Sequence, residues 1–125
     1  MREILFKGKR KESGEWVEGD LRQDEDLETA YISRWDYYTD DGGWQRDPYE
    51  YQIIPETLCQ YTGMNDRNGV RIWENDIVKL NNLGYRNRGV YGKVEFNDGC
   101  FDVVGNGWRD YLKCYVANHS VEVCG

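Results

Sequence analysis

Apolar and polar residues alternate along most of this chain, and no sustained apolar stripe at helical spacing appears. Short two-residue-period segments follow one another: Glu3 to Lys7, Trp16 to Leu21, Ala30 to Trp35 and Tyr49 to Ile54. After them come Thr57 to Thr62, Val70 to Trp73, Ile77 to Leu80, Tyr91 to Phe96, Cys100 to Val104, Tyr111 to Val116 and Ser120 to Cys124. Turn chemistry separates them. Asn68-Gly69 suits a tight turn that needs positive φ, and Asn97-Asp98-Gly99 is a hairpin signal. Pro55 has no N–H to give a ladder and should end the strand before it. Helix is expected only as single turns, in residues 23–29 and at Pro55-Glu56-Thr57. Residues 36–48 are a polar segment, and residues 81–89 read as a polar loop. Many short strands and fourteen glycines predict an all-β small barrel or sandwich.

Composition narrows this. The 125 residues suffice for one ordinary domain, or for a barrel with a flanking subdomain. Five Trp, ten Tyr and three Phe supply most of the large apolar surface, so a modest aromatic core is expected. No apolar run is long enough for a membrane helix, and the charged start is unlike a signal peptide. The expectation is a cytoplasmic protein whose four separated cysteines, at 59, 100, 114 and 124, are free thiols buried on strands. The net charge of −7 is uneven. Residues 12–66 hold fifteen acidic and three basic side chains, residues 67–99 four and six, and residues 1–11 one and five. Nucleic acid, if bound, would therefore be held by the C-terminal half, since affinity for the phosphate backbone comes from Lys and Arg.

The run Ile54-Pro55-Glu56-Thr57-Leu58-Cys59-Gln60-Tyr61-Thr62-Gly63-Met64 continues through Asn68-Gly69 to Trp73-Glu74-Asn75-Asp76-Ile77-Val78-Lys79. Together with Arg2-Glu3-Ile4-Leu5-Phe6, Trp16 to Leu21, Gly92-Lys93-Val94-Glu95-Phe96 and Val121 to Gly125, it resembles the YopX family, small proteins carried mostly by bacteriophages and prophages. The resemblance implies an SH3-like barrel over residues 55–125, with residues 1–54 adding strands beside it, and it brings no agreed catalytic residue. Asn75 stands where Gly is common, a mild departure because Asn tolerates left-handed backbone. Cys59 and Cys124 stand where Gly and Ile are frequent, and the chain stops at Gly125, short of the polar tail of many relatives.

Within the signature, Pro55, Gly63 and Gly69 read as backbone devices and Asp76 as an acceptor for turn amides. Leu58, Ile72, Ile77 and Val78 read as core. Two surfaces are candidates for function. Gln60, Tyr61, Arg71, Trp73, Lys79, Tyr85, Arg86, Arg88 and Lys93 mix basic and aromatic groups, the pairing that suits phosphate contact with base stacking. Asp24, Glu25 and Asp26 with Trp35, Tyr37, Tyr38 and Trp44 form an acidic, aromatic set suited to a host or phage protein partner. Cys100, Cys114, His119 and Cys124 have zinc-ligand chemistry without the close cysteine pair of most structural sites, so no metal and no cofactor are expected. His119 beside Ser120 with Glu122 does not make a triad, because strand neighbours face opposite ways, so no enzyme is expected either. The sequence is read as a non-enzymatic protein-interaction or regulatory module, with nucleic-acid binding through residues 71–93 as the alternative. Self-association through strand edges is a further expectation.

Overall fold

The computed structural model describes residues 3–26, 28–40, 43–81, 90–117 and 120–124, and for 35–40 and 43–48 the backbone alone. Among them eleven strands form two antiparallel sheets with one short helix and one 3-10 turn. Contacts divide the chain into two compact units, Glu3–Gln60 and Tyr61–Gly125.

In the first unit β1 (Phe6–Lys9), β2 (Trp16–Gln23), β3 (Ala30–Asp40) and β4 (Gly43–Ile53) pair in sequence order. One isolated bridge, Arg10↔Ile53, ties the end of β1 to the end of β4. Val17, Ala30, Ile32 and Ile53 form its core, with Phe6, Leu21, Tyr51 and Leu58 packed against them. The polar segment after Trp35 is largely strand. β3 and β4 pair from Ala30↔Ile53 to Asp40↔Gly43, whereas β2 accompanies β3 only over Ala30 to Ser33. The β-formers Trp35, Tyr37, Tyr38 and Thr39 outweigh the intervening acids there. The turn expected at residues 23–29 is no helix among the described residues. Asp26 accepts from the N–H groups of Glu28 and Thr29 and so closes a loop. Pro55–Thr57 is a 3-10 turn, and one residue, Ile54, separates it from the end of β4.

β5 (Cys59–Asn65) pairs with β1 at Cys59 and Gln60, and within the second unit Tyr61 to Asn65 pair with β6 (Arg71–Trp73). The second unit then builds a five-stranded sheet in the order β10-β9-β8-β7-β11. Its members are β7 (Ile77–Leu80), β8 (Val90–Asn97), β9 (Cys100–Gly105), β10 (Trp108–Tyr111) and β11 (Val121–Val123). Among the described residues no ladder joins its edge strands, so the sheet is open. One face carries Val78, Leu80, Val94, Val103 and Val121, all fully buried with Ile72 and Leu112. Among the left-handed positions that make its turns are Gly69 at φ +81° and Asn75 at φ +73°, the latter as the departure from Gly anticipates.

Two elements differ from the expected pattern. Leu112–Ala117 is helix α1, not strand, because Leu112, Tyr115 and Val116 meet the core at helical spacing. β10 was not anticipated; Asn106-Gly107, with Gly107 at φ +81°, turns the chain back along β9. No helix among the described residues is long and apolar enough to cross a membrane.

Candidate functional site

Ladder register decides which side chains share a face, since direct partners in antiparallel strands lie on the same side. On the five-stranded sheet the partner sets Glu122↔Lys79↔Tyr91, Ile77↔Lys93↔Val104↔Arg109 and Glu95↔Asp102↔Tyr111 define the face opposite the core. This outer face is not a water-loving one throughout. Ile77 is 41% exposed, Tyr91 58% and Tyr111 53%. Ile77 was expected in the core; alternation explains the correction, because Val78 and Leu80 take the inward positions of β7.

The carboxylates on this face are engaged by arginines. Arg109 donates to Asp102 at 3.0 Å and to Glu95 at 3.2 Å, and Glu122 lies 3.7 Å from Arg67. The hydrogen bond to Asp102, with Glu95 assisting, holds the Arg109 guanidinium above its ordinary pKa. A cleft of about 310 Å³ opens at the Asp102 end, lined by Asn97, Asp98, Cys100, Asp102, Arg109, Asp110 and Tyr111. Desolvation and the neighbouring Asp102 push the Cys100 thiol up, so it stays protonated and is a poor nucleophile.

The candidate nucleic-acid set is only partly brought together. Lys79 and Lys93 do share the outer face, Lys79 across the ladder from Tyr91 and Lys93 two residues along β8 from it. Tyr61 and Trp73, considered for an exposed rim, are each 6% exposed: they are cross-strand partners whose ring centroids lie 5.6 Å apart. Burying two large rings against each other outweighs presenting them to solvent. The Tyr61 hydroxyl donates to Asn65, and the exposed Arg71 sits 5.4 Å over the Tyr61 ring, on β6. Gln60 is half-buried and pairs with Phe6 in the first unit. Tyr85, Arg86 and Arg88 lie outside the described residues.

Of the acidic candidates, two are engaged locally. Asp24 accepts from Arg22 at 2.6 Å, and Asp26 caps the Glu28–Thr29 turn, whose backbone N–H groups hold its carboxyl below the ordinary value. Glu25 is exposed. The side chains of Trp35, Tyr37, Tyr38 and Trp44 are outside the described part. The thiols expected as buried are so only at Cys59; Cys114 and Cys124 are exposed because one stands on α1 and the other follows β11. His119 lies outside the described residues, and among those described no group of three or more His, Cys, Asp or Glu is placed to hold a metal.

The residues of this face that sequence reasoning missed are Ile77, Val104, Arg109 and Tyr111. Parity was the available signal: Ile77-x-Lys79 and Tyr91-x-Lys93 are in step across one ladder.

Comparison with known proteins places this architecture. The family model described as YopX protein matches residues 5–125. The chain belongs to the YopX family. Among solved structures it is similar to the crystal structure of protein EF1440 from Enterococcus faecalis, with a TM-score of 0.65 and 20% identity. That likeness covers 100% of this chain and 93% of the other, and shows a shared fold. No curated protein matches.

Proposed function

We propose that this YopX-family chain is a phage- or prophage-borne accessory protein of the bacterial cytoplasm that acts without catalysis, as a protein-interaction or regulatory module. We read its second unit as an SH3-like barrel in which β6 lends Ile72 to the core of the five-stranded sheet. The observation that carries the functional reading is the outer face of that sheet. Ile77, Tyr91 and Tyr111 stand exposed among Lys79, Lys93, Arg109 and three carboxylates. Exposed apolar groups interspersed with charges that balance suit a protein partner. The occupant is a host or phage protein with an apolar patch of its own, since the face offers no net charge to attract a polyanion. A photo-crosslinking residue at position 91 tests this in host lysate. It should give a discrete adduct that Ile77→Asp abolishes, while the same residue at the exposed Val70 gives none. Equal adducts from both positions would refute it.

The nucleic-acid alternative draws on one feature, Lys79 and Lys93 beside Tyr91. If it holds, binding to labelled single- or double-stranded DNA or RNA should weaken by about one log unit per log salt for each phosphate neutralised. No binding at low salt would eliminate it.

A further inference from the structure

In the Glu3–Gln60 unit, Arg10, Lys11, Glu12, Tyr31, Glu50, Tyr51 and Gln52 line a cleft of about 710 Å³. That is within the roughly 300–1,000 Å³ of small-ligand sites. Two arginines of this unit sit over tyrosines of the cleft: Arg22 is 4.1 Å from the Tyr31 ring centroid and Arg10 is 4.3 Å from that of Tyr51. The two stacks differ in what their forks hold. Arg22 donates to Glu50 through Nε at 3.0 Å and through Nη2, and to Asp24 through Nη1. Among the described residues Arg10 reaches only Glu12, at 3.9 Å, and the Glu12 side chain is 89% exposed. Yet Arg10 is the more sheltered of the two, its side chain 30% exposed against 48% for Arg22.

A guanidinium seated on a ring, partly withdrawn from water and met only loosely by an exposed carboxylate, is a preorganised oxyanion receptor. Lys11 adds a second positive charge on the rim, in a segment, residues 1–11, with five basic and one acidic side chains. The geometry points to an oxyanion site in this cleft, in which the Arg10 fork binds the carboxylate or phosphate group of a small ligand much as Arg22 binds Glu50. The Gln52 amide and the Tyr31 hydroxyl line the same cleft and can bond the rest of that ligand.

The test is a titration of the full chain with inorganic phosphate and, separately, with succinate at constant ionic strength. It is followed through the Arg10 Nε–Hε resonance and the backbone amides of residues 10–12 and 50–52. Saturable shifts are expected with one of the two, and which one saturates identifies the oxyanion. Arg10→Gln should weaken that binding by at least about tenfold, the worth of one charge-assisted fork. Arg10→Lys should weaken it similarly, because it keeps the charge and loses the fork; this second variant preserves the test should Arg10→Gln fail to fold. Lys9→Gln, outside the cleft, should leave it unchanged. Shifts that stay linear with both anions, or binding that survives both Arg10 substitutions, would overturn the proposal.

Discussion

Asp66→Asn should cost the second unit more stability than its single-atom change implies. Asp66 is 8% exposed and sits at the turn between β5 and β6. Its Oδ1 accepts from the N–H groups of Asn68 at 2.8 Å and Val70 at 2.9 Å, and its Oδ2 from that of Val123 at 3.0 Å. One carboxylate thus closes a hairpin and also holds β11. Asparagine can keep the two turn bonds on its oxygen but must then point an NH2 donor at the Val123 N–H. One bond to a charged acceptor disappears, worth about 1.5–3 kcal/mol, and a sheltered N–H loses its partner. The expected loss is about 2–4 kcal/mol, a large share of the about 5–15 kcal/mol that holds a domain together.

The pH dependence gives a second check on the same residue. Burial pushes the Asp66 carboxyl up, but the N–H donors of Val123, Val70 and Asn68, with Arg67 nearby, outweigh it and hold the group below its ordinary value. A depressed folded-state pKa contributes stability that is fully present above the unfolded value, about 3.9, and disappears as pH falls through the folded one. Urea unfolding of wild type and Asp66→Asn, followed by near-ultraviolet circular dichroism and by the amides of Val103 and Val121, measures both effects. The difference should be largest near pH 7 and shrink below about pH 4. A difference under about 0.5 kcal/mol at pH 7, or one independent of pH, would refute the reasoning.

Other consequences are direct. A Cβ at Gly105 would fall 2.1 Å from Trp108 Cε2, so Gly105→Ala should displace that indole and cost about 1–3 kcal/mol by urea unfolding. Gly69→Ala, at φ +81° with open space around it, should cost about 1–2 kcal/mol through backbone strain alone. In native protein an aromatic disulfide reagent should label Cys114 and Cys124 rapidly and spare Cys59 until the chain unfolds. Ultraviolet titration should find the Tyr115 phenol pushed up to about 12 by burial and its hydrogen bond to Asp110, and Asp110→Asn should bring it down.

The fold was legible where alternation and turn chemistry agreed. Ile77 to Leu80 and the Asn97-Asp98-Gly99 hairpin appear as expected because short-range signals specify both. Length was less legible: acids interrupt the pattern in residues 36–40 and 43–48, and only the pairing of β3 with β4 makes them strand. At α1, a two-residue reading of Tyr111 to Val116 lost to packing, since Leu112, Tyr115 and Val116 share the core at a period no strand provides. The binding surface was the least legible. Residue types alone grouped Tyr61 and Trp73 with the lysines, whereas their mutual packing withdraws them from solvent. Ile77 looked like core and instead stands on the outer face, because a strand of four residues inside one sheet buries only alternate positions.

The face bearing Ile77, Tyr91 and Tyr111 is the centre of the functional reading, and the dissociation constant of the crosslinked partner tests it most directly. Measured with purified partner against wild type and Ile77→Asp, at thermal midpoints confirmed equal, it should rise by at least about tenfold, as expected for an apolar contact of about 1.4 kcal/mol or more. An unchanged constant would mean that this face is solvated surface and that the partner binds elsewhere.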